Sequence, residues 1–294
     1  HADLKSIIED SFLKNQGVPI VMIGHSLGCP TIHNFITNPL ILEELGMSVQ
    51  DWENWKRAHI KCIVLVSPCL TGSPTAVKTM ISGLALPFNI LNPMTSRDLL
   101  RNFSGVMSVL PDPMIFPYPM IKTPTQSFTC QDEDLLKVLT MAGMTSSQLK
   151  AIQVNVLSQR INMRKAPEIE THVLTGCCAD SNPKPNTIGK GMEMAFTYGK
   201  GLLNQQPTEI ENESIIYSEL KSNPIYKNNI INLVPNTPLS QMCGDYTVPY
   251  ASLQFPRIYW SYQNEPLYFK QFTGSGVGHT KIFDNPLLFD YIFN

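Results

Sequence analysis

The chain of 294 residues is long enough for one large domain or two domains of ordinary size. Its hydrophobic fraction of 43% and charged fraction of 16% are typical of a globular protein with a substantial core. A net charge of -2 argues against a nucleic-acid-binding protein, and the absence of an apolar run of about eighteen residues argues against a polytopic membrane protein.

The first predicted elements are an amphipathic helix over residues 3–15 and a buried strand over residues 19–24. The strand leads into Gly24-His25-Ser26-Leu27-Gly28, and a helical stretch over residues 28–37 follows. A strand, a G-x-S-x-G pentapeptide and a helix in this order are typical of a nucleophile elbow. The turn is expected to be so sharp that only glycines fit on either side, with the serine Oγ held at the end of the sheet. The pattern therefore predicts Ser26 as a catalytic nucleophile.

The next elements predict a parallel α/β sheet with a long insertion. A polar connection holding Trp52 and Trp55 precedes a second apolar strand over residues 60–66, and strand, helix and strand in sequence favour parallel pairing. Residues 75–165 are rich in methionine, proline and aromatic residues without strand alternation, which predicts an inserted cap of short helices and loops. The predicted domains are a core half over residues 1–74, the cap over 75–165 and a second core half over 166–294.

The second core half is predicted to contain two more strands and a closing helix. The sheet resumes at residues 170–176, and a long polar, irregular loop is expected over residues 177–240. Residues 267–272 are predicted to form the last strand, and residues 283–293 a closing helix.

The cysteines and two sequons bear on the cellular compartment. None of the seven cysteines has C-x-x-C spacing, so buried free thiols, with or without one disulfide, explain the pattern better than a metal site. No metal and no cofactor are therefore expected. The triplets Asn102-Phe103-Ser104 and Asn212-Glu213-Ser214 are glycosylation sequons, which favour the secretory pathway only weakly because such triplets are common.

Elimination among the six histidines selects His279 as the general base for an activated serine. It lies in a glycine-rich loop after the last strand, where α/β folds place their chemistry. Each of the other five histidines has a less suitable place: the chain terminus, the elbow, the helix after the elbow, a position just before a strand, or a strand. The histidine on the elbow, His25, is expected to point away from the nucleophile. The five are His1, His25, His33, His59 and His172.

Two aspartates compete for the role of orienting carboxylate. Asp245 follows a turn glycine and gives the order Ser, Asp, His that is typical of α/β-hydrolases. Asp180 follows the strand over residues 170–176 more closely, whereas Asp284 is too near His279 along the chain. The residues themselves leave Asp245 and Asp180 open.

Several segments, in order along the chain, resemble the lecithin:cholesterol acyltransferase family, which includes lysosomal phospholipases and phospholipid:diacylglycerol acyltransferases. They are Ile23-Gly24-His25-Ser26-Leu27-Gly28, Trp55-Lys56 leading into residues 60–68, the proline-aromatic run 110–128, Gly244-Asp245-Tyr246-Thr247-Val248-Pro249 with Ser252-Leu253, and Gly278-His279. The resemblance implies Ser26, Asp245 and His279 as the triad, without Asp180.

The resemblance also implies a reaction and its partners. A phospholipid is the expected acyl donor, and a sterol, another lipid alcohol or water is the expected acceptor. The backbone N–H of Leu27 is expected to stabilise the oxyanion. The enzyme is expected to act at a membrane or lipoprotein surface, in a secreted, lysosomal or ER-lumenal setting.

Three departures from the family pattern qualify this interpretation. Pro68-Cys69-Leu70-Thr71-Gly72 stands where the family has Pro-Trp-Gly-Gly, and a cysteine expected after the acid motif is missing, which puts the C-terminal disulfide in doubt. The strands that precede the nucleophile strand in an α/β-hydrolase fold are also absent, so residues 19–24 would form an unprotected edge. We therefore expect a fragment of a longer enzyme that is weak without its second oxyanion donor; the alternative is a naturally shortened fold.

Two rival functions and two interpretations of the methionines stay open. The chain could be a lipid-binding fragment with impaired catalysis, or a serine esterase acting on neutral lipids. Methionines in the predicted cap could line a lipid groove or simply fill a core. They are Met80, Met94, Met107, Met114, Met120, Met141, Met144 and Met163.

Overall fold

The computed structural model describes residues 1–83, 93–116, 121–122, 127–177, 194–197, 232–235, 244–245, 247–273 and 277–293. The strands are β1 (Ile20–His25), β2 (Ile60–Val66), β3 (Ile121–Lys122), β4 (Ser127–Phe128), β5 (Thr171–Cys177), β6 (Met194–Thr197), β7 (Asn232–Pro235) and β8 (Leu267–Thr273). The helices are α1 (Ala2–Lys14), α2 (Gly28–Thr37), α3 (Leu40–Leu45), α4 (Val49–His59), α5 (Pro74–Ser82), α6 (Pro93–Leu100), α7 (Ser104–Ser108), α8 (Asp132–Met141), α9 (Ser146–Asn155), α10 (Arg160–Met163), α11 (Tyr250–Tyr259) and α12 (Pro286–Phe293).

The main sheet is parallel throughout, in the order β1-β2-β5-β8. Each of its four strands was predicted from the sequence to within one residue at either end, and the α/β class is confirmed. Because the four strands are parallel, their carboxyl ends all lie on the same side of the sheet, which is where open α/β sheets place their sites.

The two faces of the sheet pack against different helices. Ile63 and Leu65 of β2 belong to a core that includes Phe35 of α2 and Trp260 after α11. The alternate residues Cys62, Val64 and Val66 pack on the other face, together with Leu288 of α12. This division follows from the two-residue period of a strand.

The polar connection expected between residues 38 and 59 is wrong, because the structure has two helices there, α3 and α4. Ser48 caps α4 by accepting a hydrogen bond from the backbone N–H of Asp51 at 3.1 Å. Trp52 and Trp55, three residues apart, are buried with their rings stacked 4.8 Å apart. The remaining faces of α4 are polar, which makes the segment resemble a loop by composition.

Short helices occupy most of the described part of residues 74–163, and they have a hydrophobic core of their own. The division into a cap and two core halves stays a prediction. The long loop expected over residues 177–240 is wrong at β6 and β7, which pair antiparallel in a second sheet of order β4-β3-β6-β7. The other residues of that loop after Cys177 lie outside the described residues.

Strand β1 borders the parallel sheet and pairs only with β2 among the described strands. Val21 and Ile23 on this strand are each 48% exposed. Within the described part of the chain, β1 therefore forms the apolar sheet edge that the sequence predicts. No helix among the described residues combines the length and apolarity that a bilayer crossing requires.

Candidate active site

Ser26 lies in a sharp turn between β1 and α2 and has a positive φ of 53°. Its backbone N–H donates to the carbonyl of Val66 on β2 at 3.1 Å. A Cβ on Gly24 would lie 2.9 Å from backbone atoms of Gly28, so only glycine allows this close approach. A Cβ on Gly28 would meet nothing within 4 Å, so the expectation that glycine is required on both sides is wrong there.

The structure brings together the three side chains that the sequence selected. The Ser26 hydroxyl and Nε2 of His279 are 2.7 Å apart, and Nδ1 of His279 is 2.7 Å from Oδ2 of Asp245. Asp245 is fully buried and His279 is 8% exposed. Asp180, the alternative acid, lies outside the described residues.

The surroundings of Asp245 fix the proton positions in this array. Its Oδ1 accepts the backbone N–H groups of Thr247 at 3.1 Å and Val248 at 2.7 Å. Oδ2 is left for His279, so Nδ1 carries the proton and donates it to the carboxylate. Nε2 is then the acceptor for the Ser26 hydroxyl, which is the tautomer that a general base requires.

Leu27 follows the serine directly and is the N-cap residue of α2. The first N–H groups of a helix have no partner within the helix and favour negative charge nearby. An oxyanion formed on a carbonyl attacked by Ser26 would therefore develop beside a donor-rich helix end.

His25 does not lie away from the site, contrary to expectation. Its Nε2 donates to the backbone carbonyl of His279 at 2.8 Å, and the two imidazole rings are 4.9 Å apart. Phe283 packs edge-on against the His25 ring, with the two ring centroids 4.8 Å apart. Burial lowers the pKa of His25, which keeps the ring neutral near pH 7. No local sequence signal marks this contact, because it joins residues 254 positions apart.

Cys69 stands where the resembling family has tryptophan, and it lies beside the nucleophile. It is 4% exposed, and burial raises the pKa of its thiol to about 12, with the Ser26 hydroxyl offsetting part of that rise. Cys29, one turn after Ser26, donates its thiol to the carbonyl of Gly24 at 3.2 Å. Both are free thiols held in the protonated form.

The remaining histidines serve other contacts. His33 is fully buried, stacks on Trp260 and reaches the carbonyl of Lys165 at 2.8 Å, and burial lowers its pKa to about 4. His172 lies on β5. Among the described residues, possible metal ligands group at His172, Cys62 and Glu170, and not at Ser26.

The predicted methionines favour the core interpretation where their side chains are described. Met80, Met107 and Met144 are buried in the hydrophobic core of the 74–163 helices. Met107 also lines a cleft of about 590 Å³ between α2 and the helices α7 and α9, together with Met163. Met120 lies outside the described residues.

The chain is similar to known lipid acyltransferases in sequence. A family model for lecithin:cholesterol acyltransferase matches residues 1–275. Lecithin-cholesterol acyltransferase-like 1 of Arabidopsis thaliana is 27% identical over 137 residues, covering 45% of this chain and 28% of the relative. The protein of the same name from Oryza sativa subsp. japonica is 26% identical over 146 residues, covering 49% and 30%.

A chain from the crystal structure of the Tle4-Tli4 complex superposes with a TM-score of 0.56 at 11% identity, covering 95% of this chain and 60% of that one. At this identity the likeness concerns the fold alone. The matches to the two curated relatives span less than a third of their length.

Proposed function

Because the chain belongs to the lecithin:cholesterol acyltransferase family, we propose that it is a serine acyltransferase or phospholipase of the α/β-hydrolase fold, with an inserted cap. The observation that carries the proposal is the hydrogen-bonded array from Ser26 through His279 to Asp245, with 2.7 Å at each link. Ser26 and His279 of the array follow β1 and β8 along the chain, on the side of the parallel sheet where the strands end, which is where open α/β sheets carry their sites.

In the proposed first half-reaction, the Ser26 oxygen attacks the ester carbonyl of a phospholipid while Nε2 of His279 accepts its proton. Asp245 stabilises the resulting imidazolium and keeps the ring oriented. The Leu27 N–H donates to the oxyanion of the tetrahedral intermediate. Collapse of the intermediate breaks the ester C–O bond, and His279 returns the proton to the departing lysophospholipid.

In the proposed second half-reaction, a hydroxyl group attacks the acyl-serine while His279 again accepts the proton. The hydroxyl belongs to a sterol, another lipid alcohol or water, and release of the new ester or fatty acid regenerates Ser26. Transfer and hydrolysis share the acyl-enzyme and differ only in which acceptor reaches it. Lipid donors and acceptors imply work at a membrane or lipoprotein surface.

Covalent labelling tests the nucleophile directly, since it requires activation of the serine but no lipid acceptor. A fluorophosphonate probe should add once to the protein, at Ser26, and Ser26→Ala should abolish the adduct. Ser11→Ala is the matched control, because that hydroxyl donates to the Ile7 carbonyl within α1. Labelling retained in Ser26→Ala, or absent from the folded parent, would contradict the assignment.

Product analysis separates the proposed function from its alternatives. Vesicles of phosphatidylcholine, with and without sterol, should yield steryl ester for a transferase and fatty acid for a phospholipase. Cleavage of triacylglycerol with phosphatidylcholine left intact would instead identify a neutral-lipid esterase. A folded protein that neither labels at Ser26 nor turns over any ester would favour the lipid-binding alternative.

The proposed compartment is the secretory pathway. Asn102 of the first sequon is exposed just before α7, while Asn212 lies outside the described residues. Loss of mass after treatment of the native protein with an N-glycosidase would support this assignment. A native protein without glycan, recovered from the cytosolic fraction, would contradict it.

A further inference from the structure

Three possible metal ligands share one face of the parallel sheet, away from the proposed triad. In the register of β2 and β5, Val64 lies opposite His172. The two-residue period places Cys62, two positions earlier, beside Glu170 on the same face. One ligand atom from each of Cys62, Glu170 and His172 lies within 4.8 Å of the others.

The histidine of this group is held as metal-bound histidines are. Nε2 of His172 faces a carboxylate oxygen of Glu170 at 3.0 Å, and Nδ1 lies 3.1 Å from the Tyr291 hydroxyl. Tyr268 of β8 stacks on the imidazole at 4.7 Å and fixes its plane. A metal-ligating histidine almost always engages its other nitrogen in an outer hydrogen bond, which sets the tautomer and the ring orientation. In this group, Nδ1 and the Tyr291 hydroxyl form that bond, which leaves Nε2 for the metal.

The reach and charge of the three groups suit a divalent metal. Ligand atoms around tetrahedral zinc are about 3.3–3.8 Å apart, so the group must contract by about 1 Å. Glu170 can supply that movement, since its side chain is flexible and 30% exposed. A thiolate from Cys62 and the Glu170 carboxylate would balance the charge of a divalent ion.

We propose that Cys62, Glu170 and His172 bind one Zn²⁺, with water from the solvent side as the fourth ligand. Thiolate, imidazole and carboxylate together select zinc over magnesium or calcium, which prefer oxygen ligands alone. The absence of C-x-x-C spacing hid this group from sequence analysis, because strand pairing and not local spacing assembles it.

The site stabilises the fold and is independent of the proposed acyl transfer. Cys62 lies four positions before Val66 on β2, a distance of about 13 Å along the strand. The Val66 carbonyl is the group that accepts the Ser26 N–H, so the two sites are well separated. The metal would join β2 to β5 and, through the Tyr291 hydroxyl, to α12. Zinc is therefore expected to raise the thermal unfolding temperature without changing probe labelling at Ser26.

Metal titration of the chelator-treated protein tests the proposal. The protein should bind one equivalent of Zn²⁺. When Co²⁺ replaces Zn²⁺, the absorption spectrum should show a tetrahedral cobalt ion and a sulfur-to-cobalt charge-transfer band. Cys62→Ser should abolish that band. His172→Gln and Glu170→Gln should each weaken zinc binding by about 100-fold or more, and Tyr291→Phe by about tenfold.

The controls separate this site from adventitious binding by other thiols and histidines. Cys130→Ser changes a buried thiol that bonds to the Phe116 carbonyl, and His59→Gln changes a histidine on α4. Both should bind zinc as the parent does. If Cys62→Ser unfolds, the partly exposed Glu170→Gln still tests the site. No stoichiometric binding at about 10 μM zinc, or binding unchanged in Glu170→Gln and His172→Gln, would overturn the proposal.

Discussion

Asp245→Asn offers the sharpest test of the proposed chemistry, because the structure dictates how the new amide must lie. Oδ1 of Asp245 accepts two backbone N–H groups, from Thr247 and Val248. Only the amide oxygen can take that position, so the NH₂ group must face Nδ1 of His279. Nδ1 then becomes an acceptor, and the proton moves to Nε2, which faces the Ser26 hydroxyl.

A protonated Nε2 cannot accept the serine proton, so the substitution should impair chemistry while preserving geometry. A wrong-tautomer substitution of this kind lowers the rate by about 10⁴-fold in serine enzymes, which corresponds to about 5.4 kcal/mol of barrier. The same hydrogen bonds should hold the asparagine in place. We therefore expect a thermal unfolding temperature close to that of the parent.

The assay is the second-order rate constant of fluorophosphonate labelling, followed by intact mass, with thermal unfolding measured in parallel. Asp112→Asn is the matched control, because Asp112 is also buried and accepts a backbone N–H, from Met114 at 2.9 Å. It should label at the parental rate. Labelling of a folded Asp245→Asn protein within tenfold of the parent would refute the reasoning.

Three further predictions concern the elbow and its histidines. In urea unfolding, Gly24→Ala should destabilise the fold by about 1–3 kcal/mol, because the new Cβ would clash with the backbone of Gly28. Gly28→Ala should be neutral or stabilising by up to about 1 kcal/mol, because a Cβ there meets nothing. Equal effects of the two substitutions would contradict the packing argument. His33 has a pKa of about 4 when folded and about 6.5 when unfolded, so protonation of the unfolded chain should cost about 3 kcal/mol of stability as pH falls between these values. His33→Phe should flatten that part of the stability curve, and an unchanged slope would exclude His33 as its source. His25→Phe leaves the His279 carbonyl without its donor and should slow probe labelling about tenfold or more; a parental rate would show that this contact does not position the base.

The sequence predicts the parallel sheet well because continuous apolar runs such as residues 60–66 have few alternatives. It is less informative for α4, whose tryptophans form a buried stripe within a charged segment. It misses β6 and β7 because four-residue strands in a polar region carry almost no periodic signal. Local pattern therefore succeeds for strands of six or seven residues and fails where a short segment depends on its partners.

The candidate site divides in the same way. Ser26 was predicted from a local motif, whereas His279 required elimination and Asp245 required a family resemblance to displace Asp180. His25 was predicted to face away, because the elbow motif says nothing about a loop 254 residues distant. Contacts of this kind form between loops that follow different strands of the sheet. The spacing of residues along the chain does not predict them.

The backbone connects the same residues that the side chains connect. His279 donates its N–H to the Asp245 carbonyl at 2.7 Å and receives a hydrogen bond from His25 at its own carbonyl. His25 is covalently next to Ser26, whose N–H is tied to β2. A non-glycine residue at a positive φ costs about 1–3 kcal/mol and persists only where its surroundings hold it, which these hydrogen bonds do. Because backbone hydrogen bonds fix these positions, removing one side chain of the array should leave the other two in place. A loss of activity in such a variant would then be due to the missing catalytic group and not to a rearranged site.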